Sequence, residues 1–176
     1  MRKKVILIPG IFFVFIIGIF FYLLLIDRNP QSVPSALINK RVPIFTTESL
    51  TKDEMFSSTE SFKNKKVLVN FFATWCKPCL EEHIYIKNLS KIEGIKIIGI
   101  NYKDDSKKTI AWLKKEGNPY SDIAIDKKGR IAIDWGVYGI PETFLVNSNG
   151  IIKYRHIGAI TKKIYGEIEI IINKIQ

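Results

Sequence analysis

The chain has 176 residues, only two cysteines and a formal net charge of +10. Its excess lysine is scattered along the sequence without an Arg-rich or aromatic-interleaved stripe, which argues against a nucleic-acid surface. Two cysteines cannot build a disulfide scaffold, and no second C-x-x-C is present to complete a zinc site.

In chain order, Arg2, Lys3 and Lys4 precede a nearly unbroken apolar stretch from Val5 to Ile26. That is enough to cross a hydrocarbon core of about 30 Å at about 1.5 Å per residue. Pro9 and Gly10 weaken the helix locally without preventing insertion. A cleaved signal peptide has an apolar region of about 7 to 15 residues and a small-residue cleavage site. Here the run from Tyr22 to Ile26 passes straight into Asp27 and Arg28. Residues 1–28 are therefore read as an uncleaved signal-anchor, a single transmembrane helix. The early basic residues place its N-terminus in the cytoplasm and the rest of the chain outside. Residues 29–40, with Pro30, Ser32, Pro34 and Ser35, read as a linker, and residues 41–176 as one domain with its own core.

Within that domain, Val42 to Phe45 is expected to be a short strand, and Ser49 to Phe62 irregular or hairpin structure. Val67 to Ala73 (VLVNFFA) is β-branched and aromatic, as a buried strand requires. Pro78 suits the first turn of a helix, predicted over Pro78 to Leu89 with Leu80, Ile84, Ile86 and Leu89 facing inward. Ile95 to Asn101 reads as a second strand, Ser106 to Glu116 as a helix capped by Ser106 and stopped by Gly117, and Ser121 to Asp126 as a third strand. Thr143 to Val146 and Ile151 to His156 flank Asn147-Ser-Asn-Gly150, a hairpin turn. Thr161 to Ile172 closes the chain as an amphipathic helix. A β-α-β-α-β series followed by a hairpin and helix, with C-x-x-C after the central strand, outlines a thioredoxin-like α/β fold: a central mixed sheet flanked by helices.

The cysteines, Cys76 and Cys79, lie in that C-x-x-C. At a helix N-terminus, free amide N–H groups, the helix dipole and the neighbouring Lys77 favour the thiolate of Cys76 and make it the attacking nucleophile. Cys79, one turn later, is placed to resolve the mixed disulfide that Cys76 forms. A structural disulfide closing so short a loop constrains the unfolded chain little. Zinc needs about four ligands, and only His83 and His156 could join the thiols. Leu80 stands where a c-type haem attachment motif needs histidine. The reading is a redox-active Cys76–Cys79 pair with no metal and no other cofactor. Outside the cytoplasm such a pair needs a supply of electrons.

The segment GVYGIPETFLV (136–146), with WCKPCLEEH (75–83), INYKDD (100–105), GNPY (117–120) and GIIKYRHIG (150–158), closely resembles the cytochrome c maturation thiol:disulfide interchange proteins of the DsbE/CcmG type. The match covers most of residues 36 to 160. It implies a periplasmic, thioredoxin-like reductant tethered to the inner membrane. Such a protein delivers electrons to the C-x-x-C-H motif of apocytochrome c, or to the haem-ligation partner that holds it. Its own electrons come from a transmembrane dithiol donor of the DsbD/CcdA kind. Carried over residue by residue, the resemblance makes Cys76 the nucleophile, Cys79 the resolving thiol, and Pro141, after Ile140, a cis-proline shaping the substrate groove. Glu82 takes the family's acidic position, with a solvated helix-surface residue as the alternative, and Glu142 lies in its Pro-Glu-Thr fingerprint. Carboxylates near the dithiol are expected to raise the thiol pKa values, opposing Lys77 and the dipole. Trp75 either shields the sulfurs or completes the core; His83, one turn after Cys79, could tune proton transfer, but it and His156 read first as structural. Two other readings stand beside this one: a tethered thioredoxin for other exported disulfides, and a copper-delivery assembly protein. The latter's pattern, three residues between the cysteines and a distal histidine, is absent here.

Overall fold

In the computed structural model, which describes residues 2–25 and 37–175, the apolar run beginning at Val67 becomes the central strand of a five-stranded sheet. The elements are α1 (Arg2–Leu25), β1 (Thr46–Glu48), β2 (Met55–Ser57), α2 (Ser58–Phe62), β3 (Lys66–Phe72), α3 (Lys77–Leu89), β4 (Ile95–Tyr102), α4 (Ser106–Glu116), β5 (Asp122–Asp126), α5 (Arg130–Asp134), β6 (Glu142–Val146), β7 (Ile152–Ile157) and α6 (Lys162–Lys174). Strand order is β5-β4-β3-β6-β7. β3 and β4 pair in parallel, as do β4 and β5, whereas β3–β6 and β6–β7 are antiparallel. Apart from Asn70, the apolar character of β3 follows from this position, because a strand covered on both faces has no side left for polar alternation.

Alternation along the strands sorts the interior into two layers. Leu68 and Phe72 of β3, with Leu145 of β6, face a core completed by Cys76, Cys79, Ile86 and Leu89 of the α3 region and Ile168 and Ile172 of α6. Val67, Val69 and Phe71, with Phe144 and Val146, face the other side, where Phe62 and Trp135 are buried. Trp135 meets Phe71 at 5.7 Å and Phe144 at 5.1 Å between ring centroids, both edge-on. In β4, a Cβ on Gly99 would stand 2.8 Å from Phe72 and 3.1 Å from Tyr120. The missing side chain makes room for the stack of those two rings, with centroids 4.7 Å apart.

Several expectations change. Residues 42–45 are not a strand; the extended pairing falls at Thr46–Glu48, against Met55–Ser57. On α3, Leu80 and Ile84 are exposed, while Cys79, Glu82, His83, Ile86 and Leu89 are buried. Polar groups that carry the site occupy part of the inner face, so the apolar residues alone gave the wrong phase. Asp105, not Ser106, caps α4, its Oδ1 accepting from the Lys108 N–H at 2.9 Å. Gly117 ends that helix at φ +90°, a conformation glycine adopts without strain. The short α5 had no periodic signal to announce it.

The chain divides into two compact units, Met1–Val33 and Pro34–Gln176. In the first, the described large apolar side chains of α1, from Ile11 to Leu25, are all exposed. Among the described residues no helix is long and apolar enough to cross a membrane. Ile26 to Arg28, and the linker reading as far as residue 36, lie outside the described residues. Residues 37–40, read from sequence as linker, belong to the domain: the Asn39 N–H donates to the Ile152 carbonyl at 2.8 Å and the Ile152 N–H to that of Lys40 at 2.9 Å. Every member of both cores lies in the second unit, so this unit carries all the apolar burial it needs to fold alone.

Denaturant unfolding of the fragment 34–176 is expected to be cooperative, with Trp135→Ala lowering stability by roughly 3 to 5 kcal/mol through the cavity it leaves. Trp135→Phe should lose less, because the buried indole N–H it removes has no acceptor among the described residues.

Candidate active site

Cys76 is the N-cap residue of α3, and its Sγ accepts from the Cys79 N–H at 3.2 Å. The two cysteines form a disulfide with their Cα atoms 5.3 Å apart. Only 5% of Cys76 and 3% of Cys79 is exposed. In the reduced state the same N–H and the positive helix end are placed to stabilise a Cys76 thiolate. The preceding turn is clamped from the β4–α4 loop. The Asp104 carboxylate accepts from the Thr74 N–H at 2.6 Å and from the Thr74 hydroxyl at 3.1 Å. These bonds hold the Asp104 carboxyl below its ordinary pKa although burial opposes them.

Beside the dithiol, the Ile140–Pro141 peptide is cis. The register pairs Phe71 with Glu142, which sets Pro141 next to the end of β3 from which the cysteine turn departs. Ile140 packs against both cores. Trp75 is 59% exposed and lies outside the core, its indole N–H donating to the Lys103 carbonyl at 3.2 Å.

Below the cysteines lies a buried polar network. Glu82, one turn beyond Cys79 on the inner face of α3, is 1% exposed, so it is no solvated surface residue. Its two oxygens accept from the Asn70 side-chain amide at 2.8 Å and from the Ile160 N–H at 2.8 Å. The Asn70 amide also donates to the Thr143 hydroxyl at 3.2 Å, and its oxygen accepts from the Tyr120 hydroxyl at 2.8 Å. Burial raises the Glu82 carboxyl from 4.5 to about 7, against the lowering effect of its two hydrogen bonds. It is thus set to exchange a proton near neutral pH. The Tyr120 hydroxyl is pushed well above its ordinary value by burial and by Glu82, so it stays a donor.

Glu142 is separate from this network. On β6 it alternates with Thr143, so it faces the Phe71–Phe144 side of the sheet while Thr143 faces Asn70. It is fully buried, ion-paired with the buried Arg155, and accepts from the Tyr138 N–H at 3.2 Å. Burial raises its pKa and Arg155 opposes the rise. Arg155 also donates to the Gly136 carbonyl at 2.8 Å and lies over the Tyr138 ring at 4.8 Å. Through Arg155 and the Tyr138 N–H this carboxylate braces the 136–140 loop that leads into Pro141. His83 is buried against Trp112, with its Nε2 2.9 Å from the Gly117 carbonyl, and burial lowers its pKa. His156 is also buried, 3.3 Å from the Ala159 carbonyl.

Asn70, Tyr120, Thr143 and Asp104 were not singled out from sequence. Asn70 had a signal: one amide inside an otherwise apolar buried strand needs partners. Tyr120 and Asp104 lay within the family-like segments 117–120 and 100–105 but carried no role there.

A sulfur pair capping a helix beside a cis-proline is redox geometry, and comparison with known proteins agrees. The family model described as Redoxin matches residues 37–169. The chain belongs to the redoxin family. Among curated relatives, the thiol:disulfide interchange protein DsbE of Escherichia coli strain K12 is 44% identical over 171 residues, covering 95% of this chain and 92% of that protein. The DsbE of Vibrio cholerae is 40% identical over 170 residues, with 95% and 92% covered. Solved structures share the thioredoxin-like fold: a DsbF homologue from Corynebacterium diphtheriae (TM-score 0.68, 20% identity, 83% of this chain and 96% of that one) and a secreted thiol-disulfide isomerase from Corynebacterium glutamicum (TM-score 0.64, 18%, 77% and 89%). This redoxin is a protein-disulfide oxidoreductase of the DsbE kind.

Because Glu82 titrates in the folded state above its ordinary value, the stability linked to it is fully present below pH 4.5 and is lost as pH rises through about 7. Over that window the oxidised protein is expected to lose roughly 3 kcal/mol relative to Glu82→Gln. Any offset from the amide donor that replaces one oxygen does not vary with pH. Denaturant unfolding of both proteins across the window checks this, and parallel profiles would show that Glu82 titrates as it does in water.

Proposed function

We propose that this oxidoreductase is anchored in the inner membrane with its domain on the periplasmic side, where it reduces the C-x-x-C-H disulfide of apocytochrome c before haem attachment. The observation that carries the reading is the Cys76–Cys79 pair at the head of α3, beside Pro141 and above a carboxyl poised near pH 7. The resemblance of GVYGIPETFLV to the cytochrome c maturation proteins directs it to this substrate.

In the reduced state the Cys76 thiolate attacks one sulfur of the substrate disulfide. That S–S bond breaks, the second substrate sulfur leaves as a thiolate, and a mixed disulfide forms at Cys76. Cys79 passes its proton to Glu82 and attacks the Cys76 sulfur. The Cys76–Cys79 disulfide closes and the other substrate sulfur is released. Two electrons move to the substrate, and the oxidised domain regains them from a transmembrane dithiol donor of the DsbD/CcdA kind through the same sulfurs. Pro141 shapes the groove in which the partner's chain lies, and Trp75 offers an exposed aromatic edge to it. No resident metal or organic cofactor takes part.

Anchoring rests on the apolar run from Val5 to Ile26 and on the outward-facing side chains of α1 from Ile11 to Leu25, a surface suited to lipid tails. The full chain is expected to stay with membranes through alkaline extraction, and loss to the supernatant would remove this part of the reading.

Reduction of a C-x-x-C-H peptide disulfide should be abolished in Cys76→Ala. Cys79→Ala should retain apocytochrome c as a mixed disulfide in cells. Capture of other exported proteins without apocytochrome c would assign the reductase to those disulfides instead.

A further inference from the structure

The end of the sheet away from the sulfurs is basic. β3 starts at Lys66 and ends just before the cysteine turn, so its first residue lies about 20 Å from the site at about 3.3 Å per residue. The register brings the start of β4 to Lys66 and the end of β6 to Val67, gathering the adjoining loops at this end. Lys65, Lys66 and Lys96 line a cleft of about 450 Å³ with Asn64 and Ser148. Arg41 and Lys63 line an adjoining groove of about 530 Å³ that shares Asn64 and Ser148 and includes Ile44, which is 82% exposed.

Among the described residues, none of these five cations forms an ion pair. Lys66 donates to the Ile172 carbonyl at 3.4 Å. Lys65 stands close enough to Lys96 to lower the Lys96 ammonium below its ordinary pKa, the mark of like charges without a counter-charge. The start of the domain is fixed at the same end: the Val42 N–H donates to the Gly150 carbonyl at 3.0 Å, and Arg41 bridges to Ile151.

We propose that this basic end is a docking face for the phosphate headgroups of anionic lipids, with Ile44 entering the interface and the dithiol held at the far end. Charge complementarity carries the assignment, since juxtamembrane lysines and arginines are drawn to anionic leaflets. An exposed aliphatic residue among cations is the usual composition of an interfacial contact. Residues 37–42, where the chain enters the domain, are seated at this end, beside the basic cleft. The inference extends the anchoring reading, but its test uses the fragment without the anchor. Alkaline extraction of the full chain and lipid binding of the fragment can therefore fail separately.

The fragment 34–176 is mixed with vesicles of phosphatidylcholine alone and with vesicles that also contain phosphatidylglycerol, then sedimented at low and high salt. Binding is expected to the anionic vesicles only, and to be lost at high salt. Each lysine near an anionic surface contributes about fivefold in partitioning, so K63Q/K65Q/K96Q should weaken binding by roughly 100-fold. K107Q/K108Q/K128Q, which removes equal charge at the dithiol end, should keep it within about threefold. Equal loss in both triple variants would reduce the effect to net charge and overturn the docking face. So would an absence of binding to anionic vesicles, or release by inorganic phosphate at matched ionic strength, which would assign the cleft to free phosphate.

Discussion

A carboxyl group placed inside an apolar core is tolerated only if its surroundings satisfy it, and the arrangement around Glu82 is built to that requirement. One oxygen is held by Asn70 of the central strand and the other by the backbone at Ile160. Asn70 is itself completed by Tyr120 and Thr143. The network thus ties β3, α3, β6 and two loops into one unit directly under the sulfurs. Each bond is worth about 1 kcal/mol net, but leaving a buried member unpaired costs about 1 to 3 kcal/mol. That asymmetry fixes the geometry. The same burial that makes the partners obligatory moves the carboxyl into the neutral pH range, so the structural constraint and the raised pKa have one origin.

The opposite face of the sheet uses a different solution. There the carboxylate of Glu142 is matched by the guanidinium of Arg155, and the pair supports the 136–140 loop with further bonds to Tyr138 and Gly136. Two glutamates that look equivalent as sequence motifs therefore act on different layers. One anchors the buried network below the dithiol, the other holds the loop that leads into Pro141.

Much of the architecture was legible because its signals are local. The buried run at β3, Pro78 early in α3, Gly117 after α4 and the Asn147–Gly150 turn each act through their own backbone and neighbours. What was not legible depends on contacts distant in sequence. Leu80 and Ile84 looked like the inner face of α3, but the inner face belongs to Cys79 and Glu82, whose partners lie on β3 and at residue 160. Ser106 looked like a cap, yet Asp105 one residue earlier had the reach to close the helix. Which sheet face Glu142 occupies depends on the β3–β6 register, which no local pattern encodes. The cysteines were legible because C-x-x-C places both sulfurs on a single helical turn whatever surrounds them.

The near-complete enclosure of Cys76 and Cys79 sets a limit on traffic through the site. With so little of either cysteine open, a partner sulfur carried on a projecting or extended stretch of chain has the easier approach. The shape around the pair thus sorts disulfides by how far they protrude, a selection separate from any difference in redox potential.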